Sequence, residues 1–225
     1  VFPLFAQLKA DTQQVVQVFR ATLIGMFTLL TPLCGLMIML APSLIQNLLG
    51  SQWAGTLPII QLLAIASILS PIGELTVALV QGLGQPHKAT ILEAIQSFLA
   101  IVCAVVLVDD YGLVGVAAAW LIAITVSQGV SVDFTRRMLH RSFRGLGVPI
   151  AIICCVSFAG AVIALGMDYF FHGLLGLVVG VLIGSVMMVS LLWYLDRRFD
   201  FGVSRSLLRV FPPLARIIGL APASP

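Results

Sequence analysis

The sequence predicts an all-α fold, a polytopic membrane helix bundle of about six transmembrane helices. Three observations predict it: an extreme apolar composition, six separate apolar stretches, and basic residues confined to alternate connections. The 225 residues are 60% hydrophobic and only 9% charged, with a mean hydropathy of +1.12. A soluble domain carries about 25% charged residues. Such a chain lacks the polar material to cover a water-facing surface, so lipid is its natural solvent.

Crossing a hydrocarbon core takes about 20 mostly apolar residues. Stretches of that kind lie at 21–41, 57–80, 91–108, 113–132, 148–166 and 174–195. The connections between them are short, which makes neighbouring spans antiparallel. Lys9 and Arg20 precede the first span, and Lys88 lies between the second and third. Arg136, Arg137, Arg141 and Arg144 lie between the fourth and fifth, and Arg197, Arg198, Arg205, Arg209 and Arg216 follow the sixth, which accounts for all 12 Lys and Arg. The other connections hold none: 42–56 is uncharged, 109–112 is acidic, and 167–173 holds Asp168 and His172. Positively charged connections stay cytoplasmic. The expected topology therefore has both ends in the cytoplasm, and an extra or missing helix would scramble the alternation.

Outside the spans, Phe5, Leu8, Thr12, Val15, Val16 and Phe19 follow helical spacing, with Gln7, Lys9, Asp11, Gln13 and Gln14 elsewhere. That pattern predicts an amphipathic linker helix on the cytoplasmic face over residues 1–20. The bundle then occupies 21–195 and a basic cytoplasmic tail 196–225. Residues 203–211 repeat the amphipathic pattern and Pro212-Pro213 ends it. Val1-Phe2-Pro3-Leu4-Phe5 reads as the end of a preceding helix, which predicts a fragment truncated at its N-terminus. Cys34, Cys103, Cys154 and Cys155 all fall in apolar runs and read as packing residues rather than disulfide or metal ligands.

A helix exposed only to lipid needs no polar groups, so polar side chains at helical spacing mark a face turned to protein or to a hydrated cavity. The second span carries Ser67, Ser70, Glu74 and Gln81 on one stripe. The third carries Glu93, Gln96 and Ser97 with Ala100 and Ala104, and the fourth has Ala118, Thr125 and Gln128. These three spans are expected to share a polar interior. Glu74 sits about 10 Å from the cytoplasmic end of its span at 1.5 Å per residue. It reads either as a site for a coupling ion, proton or substrate, or as a protonated carboxyl bonded to a neighbouring helix. Glu93 stands near a helix N-terminus, which favours negative charge without a transport role. Pro71 frees a backbone carbonyl beside Glu74. The spacing Gly176-x-x-x-Gly180-x-x-x-Gly184 in the sixth span, and Gly160-x-x-x-Ala164 in the fifth, predict close helix approach.

The sequence has no G-x-x-x-x-G-K-[ST] loop, no H-E-x-x-H and no G-x-S-x-G elbow, and His87, His140 and His172 stand alone in connections. The expectation is a protein that is not an enzyme, with no cofactor, no metal and no nucleic-acid partner. The outer connections are too short and bare for a membrane glycosyltransferase or polymerase.

Four stretches carry a family resemblance. Val1-Phe2-Pro3-Leu4-Phe5-Ala6-Gln7-Leu8 resembles a helix end with its amphipathic linker, and Leu49-Gly50-Ser51-Gln52-Trp53 an outer loop with a G-x-x-W pattern. Gln81-Gly82-Leu83-Gly84-Gln85-Pro86 resembles a cytoplasmic turn, and Tyr111-Gly112-Leu113-Val114-Gly115-Val116-Ala117 an outer turn. In this order and spacing, over roughly residues 1–195, the chain resembles the C-terminal half of bacterial polysaccharide flippases. The resemblance is nearest to the lipopolysaccharide and colanic-acid type, within the multidrug/oligosaccharidyl-lipid/polysaccharide exporter superfamily.

The resemblance implies the C-terminal lobe of a two-lobe transporter in the bacterial inner membrane. Such a protein moves undecaprenyl-diphosphate-linked oligosaccharide from the cytoplasmic to the periplasmic leaflet by alternating access. It also implies membrane lipids, proton or sodium coupling, and polysaccharide polymerase and glycosyltransferase machinery as partners. It carries over no individual binding residue. The residues themselves nominate Glu74, Ser70, Gln81, Glu93, Gln96 and Gln128 for the cavity, and Arg20 and Lys88 for a headgroup at the cytoplasmic mouth. No Lys or Arg lies inside the spans, although a pyrophosphate would favour one. A cation-coupled multidrug or small-molecule antiporter of the same superfamily, and a membrane assembly subunit without transport, remain the alternatives.

Overall fold

The computed structural model describes residues 12–139, 147–171 and 174–199. They form five helices: α1 Thr12–Leu44, α2 Leu57–Gly82, α3 Pro86–Leu139, α4 Gly147–Phe171 and α5 Leu174–Phe199. There is no strand among the described residues. Gln13–Leu49, Ser51–Gly82, Pro86–Met138 and Gly147–Phe170 are each long and apolar enough to cross a membrane, and Leu175–Ser190 is a shorter apolar helix.

The 54 residues of α3 are two rods, because Gly112 breaks the helix at φ 55°, ψ −135°. A Cβ on Gly115 would lie 2.2 Å from the Leu107 carbonyl, which requires the chain to double back. Ser127 Oγ donates to Gln96 Oε1 at 3.1 Å, and Lys88 Nζ lies 5.8 Å above the Phe134 ring. All three contacts pair residues symmetrically about Gly112. We denote the arms α3a (86–111) and α3b (113–139). The described residues thus form six helical rods, with α3a and α3b antiparallel. The reversal needs a single glycine because only glycine takes such a conformation cheaply. Asp109 and Asp110 lie within the helical arm and not in a loop.

α1 runs through Pro32 and Pro42, and at Pro42 a neighbouring helix supplies the missing hydrogen bond. Pro42 has no N–H to give to the Ile38 carbonyl four residues back. Gln61 of α2 supplies a donor there, its Nε2 3.1 Å from that oxygen. Pro71 likewise frees the Ser67 carbonyl, and Ser70 Oγ donates to it at 3.1 Å. After α1 the chain makes a π-helical turn, Ile45–Leu49, then pivots on Gly50 at φ 91° into a 3-10 turn, Ser51–Thr56. The α2–α3a turn closes differently. Gln85 N–H donates to Val80 O and Gly84 N–H to Gln81 O, with Gly84 at φ 81°. This pair of bonds around a left-handed glycine satisfies the last carbonyls of α2, and Pro86 then opens α3, where a missing N–H costs nothing.

α1 is the hub of the bundle. It packs on α2 and on α4, and also touches α5, while α2 packs mainly on α3 and α4 on α5. Val15, Phe19, Leu23, Ile24 and Phe27 of α1 form one apolar cluster with Leu75 and Leu79 of α2 and Ile153 and Val156 of α4. Leu36 and Leu40 form a second with Ala161, Ala164 and Met188. The glycine ridge of α5 meets α4: a Cβ on Gly180 would lie 2.7 Å from the Ala164 carbonyl, and one on Gly184 2.9 Å from the Ala164 Cβ. Outer faces are apolar and exposed, as at Phe98, Ile101 and Val105 of α3a and Phe158 of α4.

Two sequence expectations differ from this fold. The linker helix expected over 1–20 has no boundary at residue 20: α1 runs unbroken from Thr12 to Leu44, and Val15 and Phe19 are buried in the bundle core. The apolar stripe finds α2 and α4 to pack on, which is a drier partner than a membrane surface. Residues 1–11 lie outside the described residues, as do Arg141, Arg144 and the tail from 200 onward. Asp168, expected in an outer loop, lies within α4 and is buried, accepting a hydrogen bond from Ser43 Oγ of α1. A hydropathy reading ends a span at a carboxylate; a hydroxyl on the next helix lets the span continue.

Candidate functional site

Between α2, α3a and α3b lies an open cleft of about 630 Å³. Each helix lends it one face at steps of three and four. From α2 come Ser70, Gly73, Glu74, Val77, Ala78 and Gln81. From α3a come Leu92, Glu93, Gln96 and Ser97, and from α3b Trp120, Ile124, Ser127, Gln128 and Ser131. The α2 wall from Ser70 to Gln81 is about 16 Å long at 1.5 Å per residue. The turn that carries Lys88 is at one end of it, together with Arg136 and Arg137 on the last turn of α3b.

All six residues that the sequence nominates for a cavity, Glu74, Ser70, Gln81, Glu93, Gln96 and Gln128, line this one cleft. Ser67 and Thr125, placed on the same stripes by spacing, are exposed outside it and turn their hydroxyls back to the Leu63 and Leu121 carbonyls. Arg20 is exposed on α1, and no Lys or Arg forms part of the cleft wall. Lys88 stands at the basic end with its ammonium over Phe134, a cation–π contact that holds it near α3b. Arg137 pairs with Asp133 at 2.7 Å; both are well exposed, so the pair contributes little.

Sequence reasoning misses Trp120, Ser127 and Ser131. Their spacing with Ile124 and Gln128 is helical, and that signal is present in the chain. Trp120 reads as one more apolar residue of a span, yet it stands 41% exposed on the cleft wall.

Electrostatically the cleft is acidic. Glu74 and Glu93 are both exposed to it from different helices, and Glu74 has no ion-pair partner among the described residues. Gln96 Oε1 accepts from Ser127, which joins the two arms of α3. Gln128 is 5% exposed, and its Oε1 has no hydrogen-bond partner among the described residues. Farther along, Thr76 and Thr135 share a buried hydroxyl contact at 3.0 Å that ties α2 to α3b. The wall is thus rich in acceptors, braced by inter-helix hydrogen bonds, and without a cation of its own.

A family model described as "Polysaccharide biosynthesis protein" matches residues 1–58 of the 225. Over that stretch the chain is similar to such proteins. The match covers α1 and the turns after it and stops at the start of α2, so the cleft lies beyond it. No curated protein and no solved structure matches the chain.

Proposed function

We propose that the protein is a lobe of a membrane exporter that carries a lipid-linked oligosaccharide from the cytoplasmic to the periplasmic leaflet by alternating access. The observation that carries the proposal is a polar cleft walled by three helices whose outer faces are apolar. A lipid-linked sugar is half polar and half hydrocarbon. Its headgroup needs a polar route across the membrane, while its tail stays in lipid beside exposed residues such as Phe98 and Ile101. The polysaccharide-biosynthesis match over residues 1–58 and the flippase-like loops support the same reading. On it, the end bearing Lys88, Arg136 and Arg137 faces the cytoplasm by the rule that basic connections stay inside. Lys88 and Arg20 meet the diphosphate at the mouth, a second lobe closes the cleft, and the chain does no covalent chemistry. A polymerase and glycosyltransferases supply and consume the cargo.

The acidic wall favours a second reading, a cation-coupled antiporter of the same superfamily, because Glu74 and Glu93 face the cleft with no Lys or Arg among its lining residues. One experiment separates the two. Inverted membrane vesicles are loaded with radiolabelled lipid-linked oligosaccharide, and its protection from an added glycosidase is followed with and without proton and sodium gradients. Vesicles containing the protein should protect the sugar, and vesicles lacking it should not. Glu74→Gln should retain protection and lose its dependence on one gradient. Equal protection with and without the protein contradicts export. Gradient-driven extrusion of small organic cations, with no effect on the oligosaccharide, establishes the antiporter instead.

A further inference from the structure

The cleft has three features that the need for a polar route does not explain. First, Gln128 is almost wholly buried while its Oε1 lacks a partner among the described residues. A buried carbonyl without a hydrogen bond is unfavourable, and a ligand in the cleft is one way to complete it. Second, the chain makes room for this amide. A Cβ on Gly73 would lie 2.8 Å from both Oε1 and Nε2 of Gln128, so the carboxamide packs directly on the Gly73 backbone at the cleft wall. Third, Trp120 stands two turns before Gln128 on the same face of α3b, with its indole on the wall of the cleft and 41% exposed.

An aromatic plate, an unsatisfied carbonyl and two carboxylates make a distinctive set. The wall offers acceptors in excess and an apolar ring face. A sugar ring is their complement: its hydroxyls donate outward from the rim, and its C–H faces are apolar. The volume of about 630 Å³ lies within the usual range for small-molecule sites, about 300–1,000 Å³. Charge then sets the class of sugar. As carboxylates, Glu74 and Glu93 repel a uronate or a phosphate, since like charges disfavour one another, and they attract an ammonium.

We infer that the cleft is a glycan-reading subsite, with Trp120 as stacking platform and the Gln128 carboxamide as hydrogen-bonding group, that takes neutral or amino-bearing sugars and rejects acidic ones. This rests on the exporter reading above and adds to it which part of the cargo the cleft holds: the sugar, with the diphosphate left to the basic end.

The test uses the full-length protein in nanodiscs with Trp53→Phe and Trp193→Phe, which leaves Trp120 as the sole tryptophan of this chain. The probes are a neutral N-acetylglucosamine disaccharide, a glucosamine disaccharide, a galacturonic acid disaccharide and inorganic pyrophosphate, read by fluorescence and calorimetry. The neutral and amino sugars should bind and shift the Trp120 emission, and the two acidic probes should bind about tenfold more weakly or worse. Gln128→Leu should weaken sugar binding about tenfold, as expected when a polar site loses a hydrogen bond to its ligand. Trp120→Tyr should keep binding and Trp120→Ala lose it, with thermal melting confirming that each variant is folded. Equal affinity for neutral and acidic probes overturns the inference, as do binding that survives Trp120→Ala and binding of sodium or protons with no sugar bound. If soluble sugars bind as expected but vesicles fail to export, the subsite stands and the exporter reading falls. If export proceeds with no sugar binding at the cleft, the reverse holds.

Discussion

Gln61 shows how single residues make this bundle possible. Nothing in its neighbourhood in the sequence explains a glutamine among Leu57–Leu63, until Pro42 of another helix is seen to free the Ile38 carbonyl that Gln61 caps. The prolines are legible in the chain; their partner, 23 residues from the carbonyl, is not, because only the fold brings them together. The same holds for Asp168, whose burial depends on Ser43. The Gln61 bond predicts a particular pattern of stability. Gln61→Leu should cost about 1 kcal/mol in the natural protein, as a lost inter-helix hydrogen bond does. It should cost close to nothing in Pro42→Ala, where the restored N–H satisfies Ile38 itself. Thermal melts of the four proteins in detergent measure the coupling, and additive losses would show that the bond stabilises nothing.

At the scale of elements, the chain declares which helices are flat but not which neighbour they meet. The Gly176, Gly180 and Gly184 ridge reads directly as a surface for close approach; that α4 fills it, through the Ala164 backbone, is a fact of three dimensions. Two glycines make a matched test. Gly180→Ala drives its new methyl to 2.7 Å from a backbone carbonyl and should destabilise by about 1–3 kcal/mol, the usual cost of overpacking. Gly166→Ala meets nothing within 4 Å and should be neutral or stabilising by up to about 1 kcal/mol, since alanine is the better helix former. Equal melting points for the two variants would mean that α4 and α5 do not pack in this register. Helix ends were the least legible feature. The apolar signal of the fourth span fades near 132, yet α3b runs on to Leu139 with Asp133 and Arg137 paired across one turn.

For the whole molecule, helical periodicity places Ser70, Glu74, Gln81, Glu93, Gln96 and Gln128 on the faces that form the cleft, but it places Ser67 and Thr125 there too, and they lie outside it. Short connections make the three rods antiparallel neighbours, and polar residues at steps of three and four give each of them one polar face to turn toward the others. The cleft's chemistry was less legible. Trp120 hides among apolar neighbours, and Gly73 matters only because Gln128 lies on it. The polarity of the whole bundle divides along its axis: Lys88, Arg136 and Arg137 at one end, Asp109, Asp110 and the turn at Gly112 at the other. A headgroup that enters at the basic end and travels along α2 passes Gln81, Glu74 and Ser70 in turn. The most direct measurement places a photo-crosslinking amino acid at Ser97, on the cleft wall, and separately at Phe158, on the outer face of α4, in cells that make the polysaccharide. After illumination, the protein is probed with a lectin for attached sugar. The account predicts a sugar-bearing adduct at Ser97 and none at Phe158; adducts of equal yield at both positions, or none at Ser97, would contradict it.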